Sequence, residues 1–178
     1  IVIVGCSAND IKSTQSANLT RADSPDSLGA SPTVTLNPLV TSESALEQDI
    51  QKLLAKYGWT IKDPISTHPV TLPESFRHAA GAPADAIYWA YNNELAKQIG
   101  FDLTPYFGQS VQARVYRLNE KLPAMFYPFE EARAVVITSG NSIAGAWIEK
   151  QAGFGCSIDR KQLDEIVKHP WSEWLVSS

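Results

Sequence analysis

RAVVITSGNSIAGAWIEK, from Arg133 to Lys150, is the stretch on which the fold turns. Two apolar runs flank Ser139-Gly140-Asn141-Ser142. Gly-Asn in a two-residue loop suits a primed turn, whose twist matches that of the strands on either side. A hairpin centred there pairs Ile137 with Ala144, Val135 with Ala146 and Ala134 with Trp147. One face then carries Val136, Ile143 and Trp147, and the other carries Val135, Ile137 and Ile148. Both faces are apolar, so the sheet is expected to be covered on both sides.

Strands and helices extend outward from this hairpin. Phe154 to Ile158 reads as a short third strand. Upstream, Ser110 to Leu118 alternates Val111, Ala113 and Val115 against Gln112, Arg114 and Tyr116, the pattern of a half-buried strand. Trp59-Thr60-Ile61-Lys62 is a further strand, stopped by Asp63-Pro64. Residues 64–83 hold four prolines and read as mostly extended connection, with a short helix capped by Thr71 and running to Arg77. Two longer helices stand out. Leu46, Ile50, Leu53, Leu54 and Tyr57 form one apolar stripe. Ser44 and Glu47 look like a capping box at its start, and Gly58 like the left-handed residue after its end. Ala84 to Ile99 presents Ile87, Tyr88, Tyr91, Leu95 and Ile99 and stops at Gly100. A last helix begins after Asp159-Arg160-Lys161-Gln162, with Leu163, Ile166 and Val167 inward. Pro170, Trp171 and Trp174 close the chain. Helices first and antiparallel strands afterwards give an α+β fold: an antiparallel sheet with helices packed on it.

Composition bounds the rest. Leu, Ile, Val and Phe supply 44 of 178 residues, enough for a core. The net charge is −4 with no basic block, which argues against nucleic acid as a partner. Two cysteines are too few for a disulfide scaffold. All 17 aromatic residues lie from Tyr57 onward. Residues 7–42 are rich in Ser, Thr, Asn, Asp and Pro, and read as a flexible linker with little to bury. The chain thus divides into residues 1–6, a linker over 7–42 and a single globular domain over 43–178.

Residues 1–6, Ile1-Val2-Ile3-Val4-Gly5-Cys6, resemble the end of a bacterial lipoprotein signal, in which the Cys6 thiol receives a lipid. The alternative is a β-strand and a Gly turn; the polar run from Ser7 onward argues against it. Further phrases resemble an uncharacterised domain family of Gram-positive extracytoplasmic lipoproteins. They are Lys56-Tyr57-Gly58-Trp59, Tyr91-Asn92-Asn93-Glu94-Leu95, and Gly100-Phe101-Asp102-Leu103 with Tyr106 and Gly108. Val115-Tyr116, Gly145-Ala146-Trp147-Ile148, Ser157-Ile158-Asp159, Trp171 and Trp174 belong to the same pattern. The likeness covers residues 43–178. It implies a location, outside the cell and anchored to the membrane, and brings no catalytic residue with it.

Common catalytic signatures are absent from the sequence: it has no H-E-x-x-H, C-x-x-C, G-x-S-x-G or P-loop. Cys156 reads as a buried small hydrophobe; a disulfide to Cys6 is the competing reading and excludes the lipid. His68, His78 and His169 lack metal-ligand spacing, and His78 has a pairing partner in Glu74 one turn away. Glu130-Glu131 and Asp164-Glu165 are adjacent pairs, expected to point apart. No cofactor or metal is expected. Pro123 to Phe129 is a loop whose Phe126, Tyr127 and Phe129 are candidate contacts for a ligand or partner. The reading is a membrane-anchored, non-catalytic binding module with an unknown envelope ligand or protein partner. The alternatives are an envelope hydrolase with an unrecognised site and an accessory subunit of a membrane assembly.

Overall fold

A computed structural model of the chain describes residues 38–79, 81–151 and 153–176. Nine principal elements follow in order. They are α1 (Pro38–Lys56), β1 (Ile61–Thr71), α2 (Ala84–Lys97), β2 (Ser110–Lys121), β3 (Glu131–Ser139), β4 (Ser142–Lys150), β5 (Gly153–Cys156), α3 (Leu163–Val167) and α4 (Trp171–Trp174). The strands form one sheet in the order β1-β2-β3-β4-β5, each antiparallel to its neighbour. The α+β architecture with helices packed on an antiparallel sheet is therefore what the chain adopts. No helix among the described residues is long and apolar enough to cross a membrane.

The hairpin turns where the sequence places it, with Ser139 opposite Ser142, but its register differs from expectation. A bulge follows, so that Ile137 faces Gly145, Val135 faces Trp147 and Ala134 faces Ile148. One extra residue in β4 inverts every side chain beyond it. Ile148 therefore joins Val136 on the α1 side of the sheet, and Trp147 joins Val135 and Ile137 on the α2 side. Both faces are covered, as the two-sided apolar pattern requires. The α1 side is filled by Leu46, Ile50, Leu54, Trp59, Tyr116 and Ile158. Tyr91, Leu95, Leu103, Val111, Leu163 and Trp174 fill the other.

Helix α1 begins at Pro38, five residues ahead of the boundary expected at 43, so Ser44 lies inside the helix and cannot cap it. Proline fits a first turn, where its missing N–H would be unpaired anyway. The Leu46, Ile50, Leu54 stripe is buried as expected, and Gly58 takes φ +74 after the last turn. Glu43 and Glu47, one turn apart, reach a buried arginine instead of serving a cap. Arg114 Nη1 donates to Glu43 Oε1 at 2.6 Å and to Glu47 Oε1 at 2.9 Å, and the Tyr116 hydroxyl donates to Glu47 at 2.8 Å. Strand β2 thus buries Arg114 and Tyr116 as well as Val111 and Ala113, so its burial is not confined to one face.

Strand β1 runs through Pro64 and Pro69, where the sequence reading stops it at Asp63. It is an edge strand, bulged between Ile61 and Asp63 and again between Pro64 and Ser66. Proline is tolerated there because an edge leaves half of the N–H groups without a strand partner. Such an edge also resists pairing with another chain. No helix follows Thr71; residues 72–78 are loop and bend. Helix α2 matches its expected span to within two residues but buries a wider arc than its large side chains mark. Ala86, Ala90 and Ala96 are buried with Asn92 and Asn93. Asn93 Oδ1 accepts the Leu103 N–H at 2.7 Å, which fixes the chain reversal after the helix.

Candidate functional site

The ionisable residues that first suggest chemistry are structural. Cys156 is fully buried at the end of β5, and burial pushes its thiol up to about 12. A thiol that stays protonated is neither nucleophile nor metal ligand. Cys6 lies outside the described residues. The histidines are dispersed. His68 is exposed on β1, and His78 stacks on Trp174 with ring centroids 4.0 Å apart instead of pairing with Glu74. His169 is half-buried ahead of Pro170. Glu130 pairs with Lys121 at 2.5 Å, whereas Glu131 turns to Arg133 at 2.6 Å and Arg117 at 3.3 Å, so that pair diverges. Glu165 accepts the Gln162 N–H at 2.8 Å, away from Asp164. Among the described residues, no three of His, Cys, Asp and Glu converge to hold a metal ion.

Glu149 on β4 is a carboxyl that the sequence reading passed over. The Tyr88 hydroxyl and Trp147 Nε1, the latter at 3.0 Å, both donate to its Oε1. Burial raises its pKa above the ordinary 4.5, against the lowering pull of those two donors and of Arg133. Burial and the facing carboxylate likewise raise the Tyr88 phenol. No second carboxyl faces this group among the contacts that hold it, so it lacks the partner an acid–base pair needs.

A cleft of about 240 Å³ lies where β5, α2, α3 and α4 meet the loop before β3. Tyr91, Phe126, Phe154, Leu163 and Trp171 line it, with Lys150, Gln162 and Asp164. Three of the rings brace one another. Tyr91 meets Phe154 at 4.8 Å and 69°, and Trp171 at 5.4 Å and 65°; Phe154 meets Trp171 at 5.5 Å and 59°. The Tyr91 hydroxyl donates to the Gly155 carbonyl at 2.7 Å, pinning helix α2 to β5 beneath the cleft. Trp171 also stacks on Trp174, with centroids 5.1 Å apart. Lys150 and Asp164 have no ion-pair partner among the described residues; the Lys150 ammonium instead lies 5.0 Å from the Phe129 ring centroid. Rigid rings with a few polar groups at the rim are the usual make-up of a small-molecule site.

The loop from Pro123 to Phe129 divides its aromatic residues between two places. Phe126 packs against the α1-side core and lines the cleft. Tyr127 and Phe129, 82% and 40% exposed, line a separate groove of about 470 Å³ with Lys121, Leu122, Pro123, Ala124 and Glu130. The Lys121–Glu130 ion pair joins two of its lining residues. The three aromatic residues therefore do not share one surface. Six of the eight cleft residues, including Phe154, Asp164 and Trp171, come from β4 onward. Their role is not visible in the sequence, where Phe154 reads as strand, Trp171 as closing core and Asp164 as one of an adjacent carboxyl pair.

No curated protein matches the chain, and no solved structure does. One family model does match, over residues 53–148, from the end of α1 to β4. The chain therefore belongs to the family described as Domain of unknown function (DUF4830).

Proposed function

We propose that the protein is a non-catalytic binding module of the bacterial envelope. A lipid on Cys6 holds it at the outer side of the cell membrane, and its ligand enters the cleft between Trp171, Phe154 and Phe126. The cleft itself carries the reading: braced rings border a cavity whose two charged residues, Lys150 and Asp164, have no ion-pair partner among the described residues. Ionisable groups elsewhere serve the fold. Arg114 is spent on Glu43 and Glu47, Glu149 is held by Tyr88 and Trp147, and Cys156 is a buried thiol. Anchoring and location rest on Ile3-Val4-Gly5-Cys6 and on the polar run that follows it.

The test is a thermal-shift panel on the full chain with glycine betaine, phosphocholine, N-acetylglucosamine and alanyl-alanine. A ligand bound by the folded state alone raises stability by about 2.7 kcal/mol at a hundredfold excess over Kd. At least one compound should raise Tm in the parent chain and not in Trp171→Leu. A shift that survives Trp171→Leu, or no shift with any compound, contradicts the reading. An accessory-subunit role draws on a different observation, the exposure of Met125, Tyr127 and Phe129 on the outer side of the same loop. A photo-crosslinking residue at position 127 should then capture one discrete envelope protein in intact cells; labelling indistinguishable from that at an exposed control position contradicts it.

A further inference from the structure

The two charges of the cleft constrain what it can hold. An aromatic face carries partial negative charge and attracts cations, best those with little hydration to lose. Tyr91, Phe154 and Trp171, inclined to one another at 59° to 69°, border the cavity together, and Phe126 adds a fourth ring. Asp164 adds a full negative charge at the same cavity. These five residues favour a weakly hydrated ammonium ion. Lys150 does the opposite and calls for an anion. A lone cation would meet Lys150 unneutralised, and a lone anion would meet Asp164. A neutral ligand would use neither charge.

We propose that the cleft takes a small zwitterion, a methylated or quaternary ammonium carrying a carboxylate or phosphate a short distance away. The ammonium packs among Tyr91, Phe154 and Trp171 beside Asp164, and the anionic end meets Lys150. The proposal rests on the reading of the cleft as the ligand site. The volume suits it: about 240 Å³ lies below the roughly 300 Å³ at which pockets for larger ligands begin. Glycine betaine and a phosphocholine headgroup share the chemistry. The first would be a free solute, the second the surface of a lipid bilayer.

Calorimetric titration of the full chain tests this, with glycine betaine, tetramethylammonium, acetate and N-acetylglucosamine as probes. Glycine betaine should bind saturably with one site. Tetramethylammonium and acetate, each carrying half of the ligand's charge, should bind at least tenfold more weakly. Asp164→Asn and Lys150→Met should each weaken betaine at least tenfold, with melting curves confirming that both variants fold. Asp164 is exposed at the rim, so its substitution leaves the core alone. Co-sedimentation with phosphatidylcholine vesicles separates the sources. Pelleting that betaine competes away marks a headgroup site, and betaine binding without pelleting marks a free solute; either supports the zwitterion. Betaine binding unaffected by both variants overturns it. So does binding of N-acetylglucosamine in place of betaine, although a Trp171-dependent sugar site would leave the binding module standing. Failure of every compound in the thermal panel removes both.

Discussion

Arg114 Nη1 on β2 lies 2.6 Å from Glu43 Oε1 in the second turn of α1, and Arg114 Nη2 lies 3.1 Å from Glu43 Oε2. This two-pronged contact, with Glu47 joining at 2.9 Å, ties the start of α1 to the second strand of the sheet. The guanidinium is buried while Glu43 remains half exposed, so the pair draws its strength from geometry and partial shielding.

Arg114→Ala should cost about 1–3 kcal/mol of stability. It removes a buried, hydrogen-bonded cation and leaves Glu43, Glu47 and the Thr138 hydroxyl without it. Glu43→Ala should cost less, within about 1 kcal/mol, because the lost partner faces water. Urea unfolding of the two variants checks the order; an equal or reversed loss contradicts this account of α1 docking.

Acid should weaken the same contact. Hydrogen bonding to Arg114 holds the Glu43 carboxyl below the ordinary 4.5. Its stabilisation is therefore complete above about pH 4.5 and is lost as pH falls through the lower folded value. Glu43→Gln should flatten stability against pH on that acid limb. A limb as steep as in the parent chain would remove Glu43 from the account.

Glu149 has the opposite sign. Burial raises its folded pKa, so the protonated form suits the fold. The benefit is present below 4.5 and is lost as pH rises through the folded value. Glu149→Gln, whose carbonyl can still accept from Tyr88 and Trp147, should be at least as stable as the parent at pH 7 and should lack this decline. Marked destabilisation at pH 7 would show that the charge itself is needed.

Gly155 has no room for a side chain. A Cβ there would sit 1.9 Å from the Ile148 carbonyl oxygen, a backbone atom that cannot swing aside. Gly155→Ala should exceed the roughly 1–3 kcal/mol of ordinary overpacking, because β5 would have to leave β4. It should also release the Tyr91 hydroxyl from the Gly155 carbonyl and disturb the cleft. A melting curve within 2 °C of the parent would contradict this.

Cys6→Ser should move the protein from the membrane fraction to the soluble fraction of bacterial cells. Retention at the membrane would remove the lipid anchor and leave the cleft untouched.

The sequence discloses the fold where side-chain chemistry and backbone geometry agree. Gly140-Asn141 marks the hairpin, the Leu46–Ile50–Leu54 stripe marks α1, and the Asp159–Gln162 run precedes the last helices. It misleads where two apolar residues are interchangeable. Trp147 and Ile148 exchange faces across a bulge that hydropathy cannot register, since either fits either core. Pro64 and Pro69 hide β1 because proline stops a central strand but not an edge. Arg114 looked solvent-facing because its partners, Glu43 and Glu47, lie some seventy residues earlier in the chain. The cleft was illegible for the same reason. Tyr91, Phe126, Phe154 and Trp171 come from four segments, and of these only Phe126 is a contact candidate by sequence.

The most direct test of the central claim is a ¹H–¹⁵N spectrum of the full chain, titrated with glycine betaine and read at the five tryptophan indoles. Trp59 and Trp147 donate their indole N–H inside the protein, to the Ile158 carbonyl at 2.7 Å and to Glu149 at 3.0 Å, so their signals should stay in place. The Trp171 signal should move in a saturable way and lose that response in Asp164→Asn. A Trp171 signal that stays fixed while betaine binds elsewhere, or at the highest betaine concentration reached, would contradict the assignment of the cleft.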